Sequence, residues 1–248
     1  IYSAVTGKST DEVEREFEGR GYGDFKLAVG EALQCPTLLE NGFGGHRIEG
    51  IGDKHVPWVH NVRNTDMVID IDDEDSQNLL RLFNSEEGHK YLREVAGVPE
   101  ATIEQLSLLG ISGIANVLCC IKFAKYYELT GDDVVATVAT DSAVMYESRV
   151  KELNEQQGNY SLLTAARDFS EHLHGIRTDN MAELTYADRK RVHNLKYYTW
   201  VEQQGKTVEE LNAQWYDHDY WTGIHEQAKD LDKLINEFNA RTGVAEKI

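Results

Sequence analysis

The chain has 248 residues, 41% of them hydrophobic, and a formal net charge of −18. That length holds one large domain or two small ones. No apolar run approaches a membrane span, and the charge opposes a nucleic-acid backbone unless a basic patch overrides it. The best such patch, Arg189-Lys190-Arg191, reads as a solvated helix face.

Cys35, Cys119 and Cys120 make an odd count, two of them adjacent in an apolar run, which argues against a disulfide framework and for a reducing cytoplasm. No CxxC or paired Cys/His spacing suggests zinc. The chain opens at Ile1, without Met and without a basic segment leading into an apolar one, so a fragment is expected.

Ser9 and Glu12 form a capping box that opens a helix to about Glu18. A second helical segment is predicted from near Asp24. From Leu33 the texture changes. Gly42, Gly44, Gly45, Gly50 and Gly52 punctuate a loop-rich stretch that includes residues 46–61, HRIEGIGDKHVPWVHN. Residues 67–71, MVIDI, read as a strand, and residues 72–75 as an acidic helix start suited to the helix dipole. Leu79, Leu80, Leu82 and Phe83 give that helix its apolar face.

Residues 110–113, GISG, turn into a largely buried helix that runs to about Leu129. Residues 134–139, VVATVA, are β-branched without polar alternation, as in a parallel strand covered on both faces. Strand, helix and strand with short turns give an α/β class, with a partial parallel, doubly wound sheet. Beyond Val150 the pattern is helical to the end. Leu162 to about Leu173 is one helix, Thr185 with Asp188 caps another that Gly205 closes, and Thr207 with Glu210 forms a further capping box. Trp200, Trp215, Tyr216, Tyr220 and Trp221 read as packing, with a subunit contact as the alternative.

Three motifs in series, HRIEGIG…VP (residues 46–57), GISG (110–113) and VVATVATDS (134–142), resemble the C-terminal part of fold-type II pyridoxal-phosphate enzymes, the cysteine synthase group. Residues 33–150 would then be a partial domain of that fold, and residues 151–248 a helical C-terminal extension carrying LTYADRKRVHNLKYYTWVEQQGKTVEELNAQW (184–215). Residues 1–32 resemble a helical segment near the end of bacterial tryptophanyl-tRNA synthetases, without their nucleotide-binding motifs. The chain thus reads as a join near Glu31-Ala32-Leu33. A cysteine-synthase-like chain would also carry a strand ending in Glu-Ala-Leu there.

The resemblance implies pyridoxal 5'-phosphate as cofactor, with Ser142 or Asp141 at the pyridine nitrogen and Gly50 and Gly52 in the loop beside the substrate. Lys54 and His55 would face a small amino-acid substrate; His60 adjoins the same loop. In that family the Schiff-base lysine and the phosphate loop lie ahead of the matching part. The expected parent is therefore a lyase or synthase working by β-elimination or β-replacement, and this chain is expected to be inactive alone, with no catalytic residue of its own. The alternatives are a non-catalytic fused or truncated product, or a synthetase-derived fragment. No nucleic acid, membrane or metal partner is expected; a homo-oligomer is allowed for. The residue-level readings stay beside these: an ion-paired or solvated Lys54, a plain turn at residues 42–45, and His172 and His174 on different faces of a helix.

Overall fold

The computed structural model describes residues 25–244. The predicted helix at Ser9, and the residues taken as synthetase-like up to 24, lie outside them. The α/β class holds. A three-stranded mixed sheet in the order β1-β2-β3 is formed by β1 (Ala28–Ala32), β2 (Met67–Ile71) and β3 (Met181–Glu183). β1 runs parallel to β2, with Glu31 opposite Asp70, and β3 runs antiparallel on the other edge of β2. All five residues of β2 are buried, so this central strand is covered on both faces, with Asp70 its one polar residue.

Helices surround the sheet: α1 (Thr37–Glu40), α2 (Asp73–Phe83), α3 (Glu86–Glu94), α4 (Glu100–Ile103), α5 (Ile111–Tyr126), α6 (Glu147–Gln157), α7 (Leu162–Asp168), α8 (Tyr186–Lys196), α9 (Val208–Tyr216), α10 (Tyr220–Glu226) and α11 (Ala228–Thr242). Asp72 caps α2 by accepting from the Glu74 amide at 2.8 Å, with Asp73, Glu74 and Asp75 in the first turn, as the acidic start predicts. Thr185–Asp188 and Thr207–Glu210 are both reciprocal capping boxes. The principal core runs from Ala32 through Ile69, Leu80 and Leu118 to Ile176. α5 packs on α2 and β2 within it.

Three readings need correction. The segment predicted to be helical from Asp24 contains strand β1. That strand ends at Ala32, one residue short of the Glu-Ala-Leu end expected. The run 134–139 forms no strand, and Val134 is 92% exposed. Its strong local propensity is overridden by packing: the run is held to α5 instead, where Asn116 Nδ2 donates to the Val138 carbonyl at 2.9 Å. The helix from Leu162 becomes a π-helical turn at Phe169–His174.

Basic and aromatic residues of the C-terminal half are used internally. Arg189 donates to the Thr65 carbonyl and to Asp66, Arg191 to the Leu38 carbonyl, and Lys190 lies over the Trp215 and Tyr216 rings. Trp200 packs on Trp58, and Trp221 Nε1 donates to the Gln214 carbonyl. Among the described residues no helix is long and apolar enough to cross a membrane.

Candidate functional site

Three segments far apart in sequence meet at the N-terminus of α5. The first is the glycine loop. Gly50 and Gly52 both have positive φ, +88° and +96°, where a side chain would be strained. The space around Gly52 is also limited, while that around Gly50 allows ordinary contact. A Cβ on Gly50 would rest 3.7 Å from Ser112 Cβ. One on Gly52 would lie 3.0 Å from His46 Nε2 and 3.3 Å from Ala32 Cβ. His46 Nε2 bonds the Gly52 carbonyl at 3.1 Å, closing the loop on itself.

The second segment is the start of α5. Gly110 is its N-cap, without a side-chain cap, and Ser112 is buried in the first turn. The third is residues 140–142. Ser112 Oγ and Thr140 Oγ1 are 2.7 Å apart, and the Gly110 amide donates to the Asp141 carbonyl at 2.9 Å. A Cβ on Gly110 would come within 2.1 Å of Asp141 Oδ1, so any larger residue there would push the Asp141 carboxylate and the Tyr146 ring aside. Arg149 of α6 ties the loop down from outside through Glu49 at 2.6 Å.

Asp141 and Ser142, alternatives in the sequence, differ in this setting. The Asp141 carboxylate accepts from the Tyr146 hydroxyl at 2.5 Å, and the Tyr146 phenol is pushed up to about 12, by burial first and then by that bond. Ser142 makes no side-chain hydrogen bond among the described residues.

Lys54 and His55 do not join the cluster in this way. Lys54 is exposed, and His55 turns back on Asp53, with Nδ1 3.2 Å from Oδ1. His60 bonds Thr65 Oγ1 at 2.8 Å, and burial followed by the charge of Lys196 holds its imidazole down to about 4. Residues 42–45 follow the left-handed C-cap Asn41 of α1, so their amides stand at the wrong end of a helix for an anion. His172 pairs with Asp75 at 2.7 Å rather than with His174. Among the described residues no group of three or more His, Cys, Asp or Glu side chains is placed to hold a metal ion.

Against the needs of pyridoxal phosphate, the fit is partial. A free hydroxyl at Ser142 suits a neutral pyridine-nitrogen partner. The exposed Lys54 does not suit a Schiff-base lysine, which has to be held against the ring.

Sequence reasoning missed the tie between Arg149 and Glu49 and the Tyr146–Asp141 bond. Glu49 and Arg149 lie 100 residues apart, so their pairing has no local signature, and Tyr146 turns back to Asp141 through the 3-10 turn Ala143–Tyr146, which no motif marks.

Comparison with known proteins returns short matches. The chain is similar to the "Tryptophan--tRNA ligase" of Malacoplasma penetrans, 54% identical over 41 residues, which is 16% of this chain and 12% of that protein. It is similar to the "Tryptophan--tRNA ligase" of Enterococcus faecalis, 50% identical over 40 residues, 16% of this chain and 11% of that protein. The "Tryptophan--tRNA ligase" of Wolinella succinogenes is 58% identical over 33 residues, 13% of this chain and 10% of that protein. The chain thus spans about an eighth or less of the length of these relatives. No family model matches. No solved structure matches.

Proposed function

We propose that the chain is a composite: a short stretch of tryptophan–tRNA ligase ancestry joined to an α/β unit that is not catalytic by itself. The ligase matches support the first part, and at a tenth to an eighth of those proteins' lengths they carry no ligase activity with them. Purified chain is expected to attach no tryptophan to tRNA; charging above a no-enzyme control would overturn this.

For the α/β unit we propose one wall of a small-molecule site, of the kind a pyridoxal-phosphate lyase or synthase presents to its cofactor ring and amino-acid substrate. The observation that carries this is the meeting of the Gly50/Gly52 loop, the Gly110–Ser112 turn and residues 140–142 around one helix start. Ser142 is the ring-nitrogen candidate, in preference to Asp141, which is spent on Tyr146. Beside it Leu108, Val144 and Met145 are 62%, 70% and 72% exposed, an apolar rim that suits an opposing wall.

The test is to incubate the full chain with pyridoxal phosphate, reduce with borohydride and map adducts by mass spectrometry. Sub-stoichiometric labelling scattered over exposed lysines is expected. A single stoichiometric lysine would show the chain to be a complete site and overturn the one-wall reading. Cofactor fluorescence that is quenched by the chain, and restored by Ser142→Ala but not by Lys54→Ala, is expected for the wall; indifference to Ser142→Ala would remove it.

A further inference from the structure

The helix α11 lies outside both apolar cores, and none of its residues is buried. Leu231, Leu234, Ile235 and Phe238 take the i, i+3, i+4 and i+7 places of one face, and they are 52%, 59%, 55% and 60% exposed. A single exposed apolar residue is ordinary, but four large ones in one stripe mark a contact surface. A 15-residue helix is also marginal in water unless that face is packed.

The charges beside the stripe decide what covers it. One flank carries Asp230, Lys233, Glu237 and Arg241, and the other carries Asp232 and Asn239. An anionic membrane, a common cover for such a stripe, wants a basic polar face. This flank balances two acids against two bases, in a chain of net charge −18.

The order of those charges suits a second copy of the same helix running the opposite way. With a two-fold axis near Leu234 and Ile235, Leu231 meets Phe238 of the second copy, and the acid–base flank meets itself reversed. Lys233 then falls beside Glu237 of the second copy, and Arg241 beside its Asp230. Within one chain Lys233 already donates to Asp230 at 3.0 Å, but an ammonium has three donors and can serve both acids. Parallel pairing would instead set the charged flank against Asp232 and Asn239, which offer its acids no base. Antiparallel pairing also keeps the first residues of the two helices about 20 Å apart, about two screening lengths at physiological salt, which limits repulsion between two acidic chains.

We propose that α11 is a self-association surface, which pairs antiparallel with α11 of a second copy of this chain. The stripe is short, so the contact falls below the roughly 1,200 Å² of a stable complex, and the dimer is weak, half-formed on the order of 10–100 μM. The loop junction takes no part in it, so the pairing stands if the one-wall reading fails.

The test is sedimentation equilibrium of the full chain from about 5 μM to about 500 μM, a span that brackets that affinity. A monomer–dimer equilibrium is expected, and Leu234→Lys should weaken it at least tenfold. Two double variants then test the orientation. Lys233→Glu with Arg241→Glu makes the flank wholly acidic, and Asp230→Lys with Glu237→Lys makes it wholly basic. Each alone should dimerise several-fold more weakly than wild type, and an equimolar mixture should recover wild-type association or exceed it, because acid then meets base across the pair. All four positions lie on the outside of the chain, and far-UV circular dichroism checks that each variant stays helical. If Leu234→Lys does not, the mixing result decides. A chain that stays monomeric throughout overturns the proposal, including one that instead sediments with phosphatidylglycerol vesicles. So does open-ended growth beyond the dimer, a dimer indifferent to a folded Leu234→Lys variant, or a mixture no tighter than its two components.

Discussion

Glu31 and Asp70 face each other across the parallel β1–β2 pair, 3% and 1% exposed, so that two carboxyls meet inside the sheet. Glu31 accepts from the Leu38 and Leu39 amides at the start of α1, with contacts of 2.9 to 3.0 Å, and these favour its ionised form. Asp70 has no donor on either oxygen. Two buried charges of one sign repel strongly, so Asp70 keeps its proton and shares it with Glu31. Burial first, and the Glu31 charge second, push Asp70 up to about 9 from 3.8.

The sign of the pH effect follows from proton uptake. Between pH 4 and 9 the folded state holds the Asp70 proton and the unfolded chain does not, so this group's contribution to stability falls as pH rises through that window. One proton gives a slope of at most about 1.4 kcal/mol per pH unit. Asp70→Asn keeps a donor towards Glu31 and has no proton to lose. Urea unfolding of this variant should lack the falling slope, leaving it more stable than wild type at pH 8.

Lys196 supplies an opposing slope. It is 0% exposed, and its Nζ donates to the Trp58 carbonyl at 2.9 Å, the His60 carbonyl at 2.6 Å and Gln214 Oε1 at 2.7 Å. Burial lowers it to about 7 from 10.5. Between pH 7 and 10.5 the unfolded chain holds the extra proton, so stability rises with pH there. From pH 7 to 9 the Asp70 and Lys196 slopes oppose, and the wild-type curve should be nearly level. Asp70→Asn should unmask the rise above pH 7. Lys196→Met should unmask a continued fall to pH 9 and cost about 3 kcal/mol, because three acceptors lose their donor. Chemical unfolding at half-unit pH steps reads both.

What the sequence revealed depended on how local each cause was. Asp72, Thr185 and Thr207 cap helices through amides two or three residues away, so those helix starts were visible in sequence. The strand at Met67–Ile71 was visible because Met67, Val68, Ile69 and Ile71 suit burial, although Asp70 does not. β1 was hidden: Ala28, Val29, Gly30, Glu31 and Ala32 carry little strand propensity, and it is the neighbouring β2 that makes them a strand. Residues 134–139 failed the opposite way: their propensity is strong, but they are held along α5 through Asn116 and join no strand. The convergence around Gly110 was suggested by motif order alone, while the preference for Ser142 over Asp141 rests on the Tyr146 hydroxyl, whose turn back to Asp141 no motif marks.

Gly110 and Gly113 sit three residues apart on α5 and should respond oppositely to alanine. A Cβ on Gly110 meets Asp141 Oδ1 at 2.1 Å and the Tyr146 ring at 2.9 Å. One on Gly113 meets Leu109 Cδ2 at 3.4 Å, an ordinary contact. Gly110→Ala should therefore displace residues 140–146 and cost roughly 2 to 3 kcal/mol. Gly113→Ala should be neutral or stabilising by up to about 1 kcal/mol, through helix propensity. Thermal melts of the pair test this, and equal shifts would refute the packing described at the α5 start.

The glycine loop itself is held from outside by Arg149, whose guanidinium spans Glu49 at 2.6 Å and Glu152 at 2.5 Å. The Arg149 side chain is 26% exposed, and Glu49 and Glu152 are 42% and 46%, so solvent screens both pairs and their worth to global stability is at most about 1 kcal/mol. The local effect should be larger than the global one. Residues 49–52 have two positive-φ glycines and few other anchors, so freeing Glu49 lets the loop open without unfolding the sheet. Arg149→Ala should leave the urea midpoint almost unchanged while speeding amide exchange at Ile51 and Gly52 several-fold. Arg149→Lys, which keeps the charge but not the fork between two carboxylates, should fall between the two. Exchange at Ile51 and Gly52 that is the same in all three proteins would show that the loop is held by its glycine packing against Ser112 and Ala32 alone.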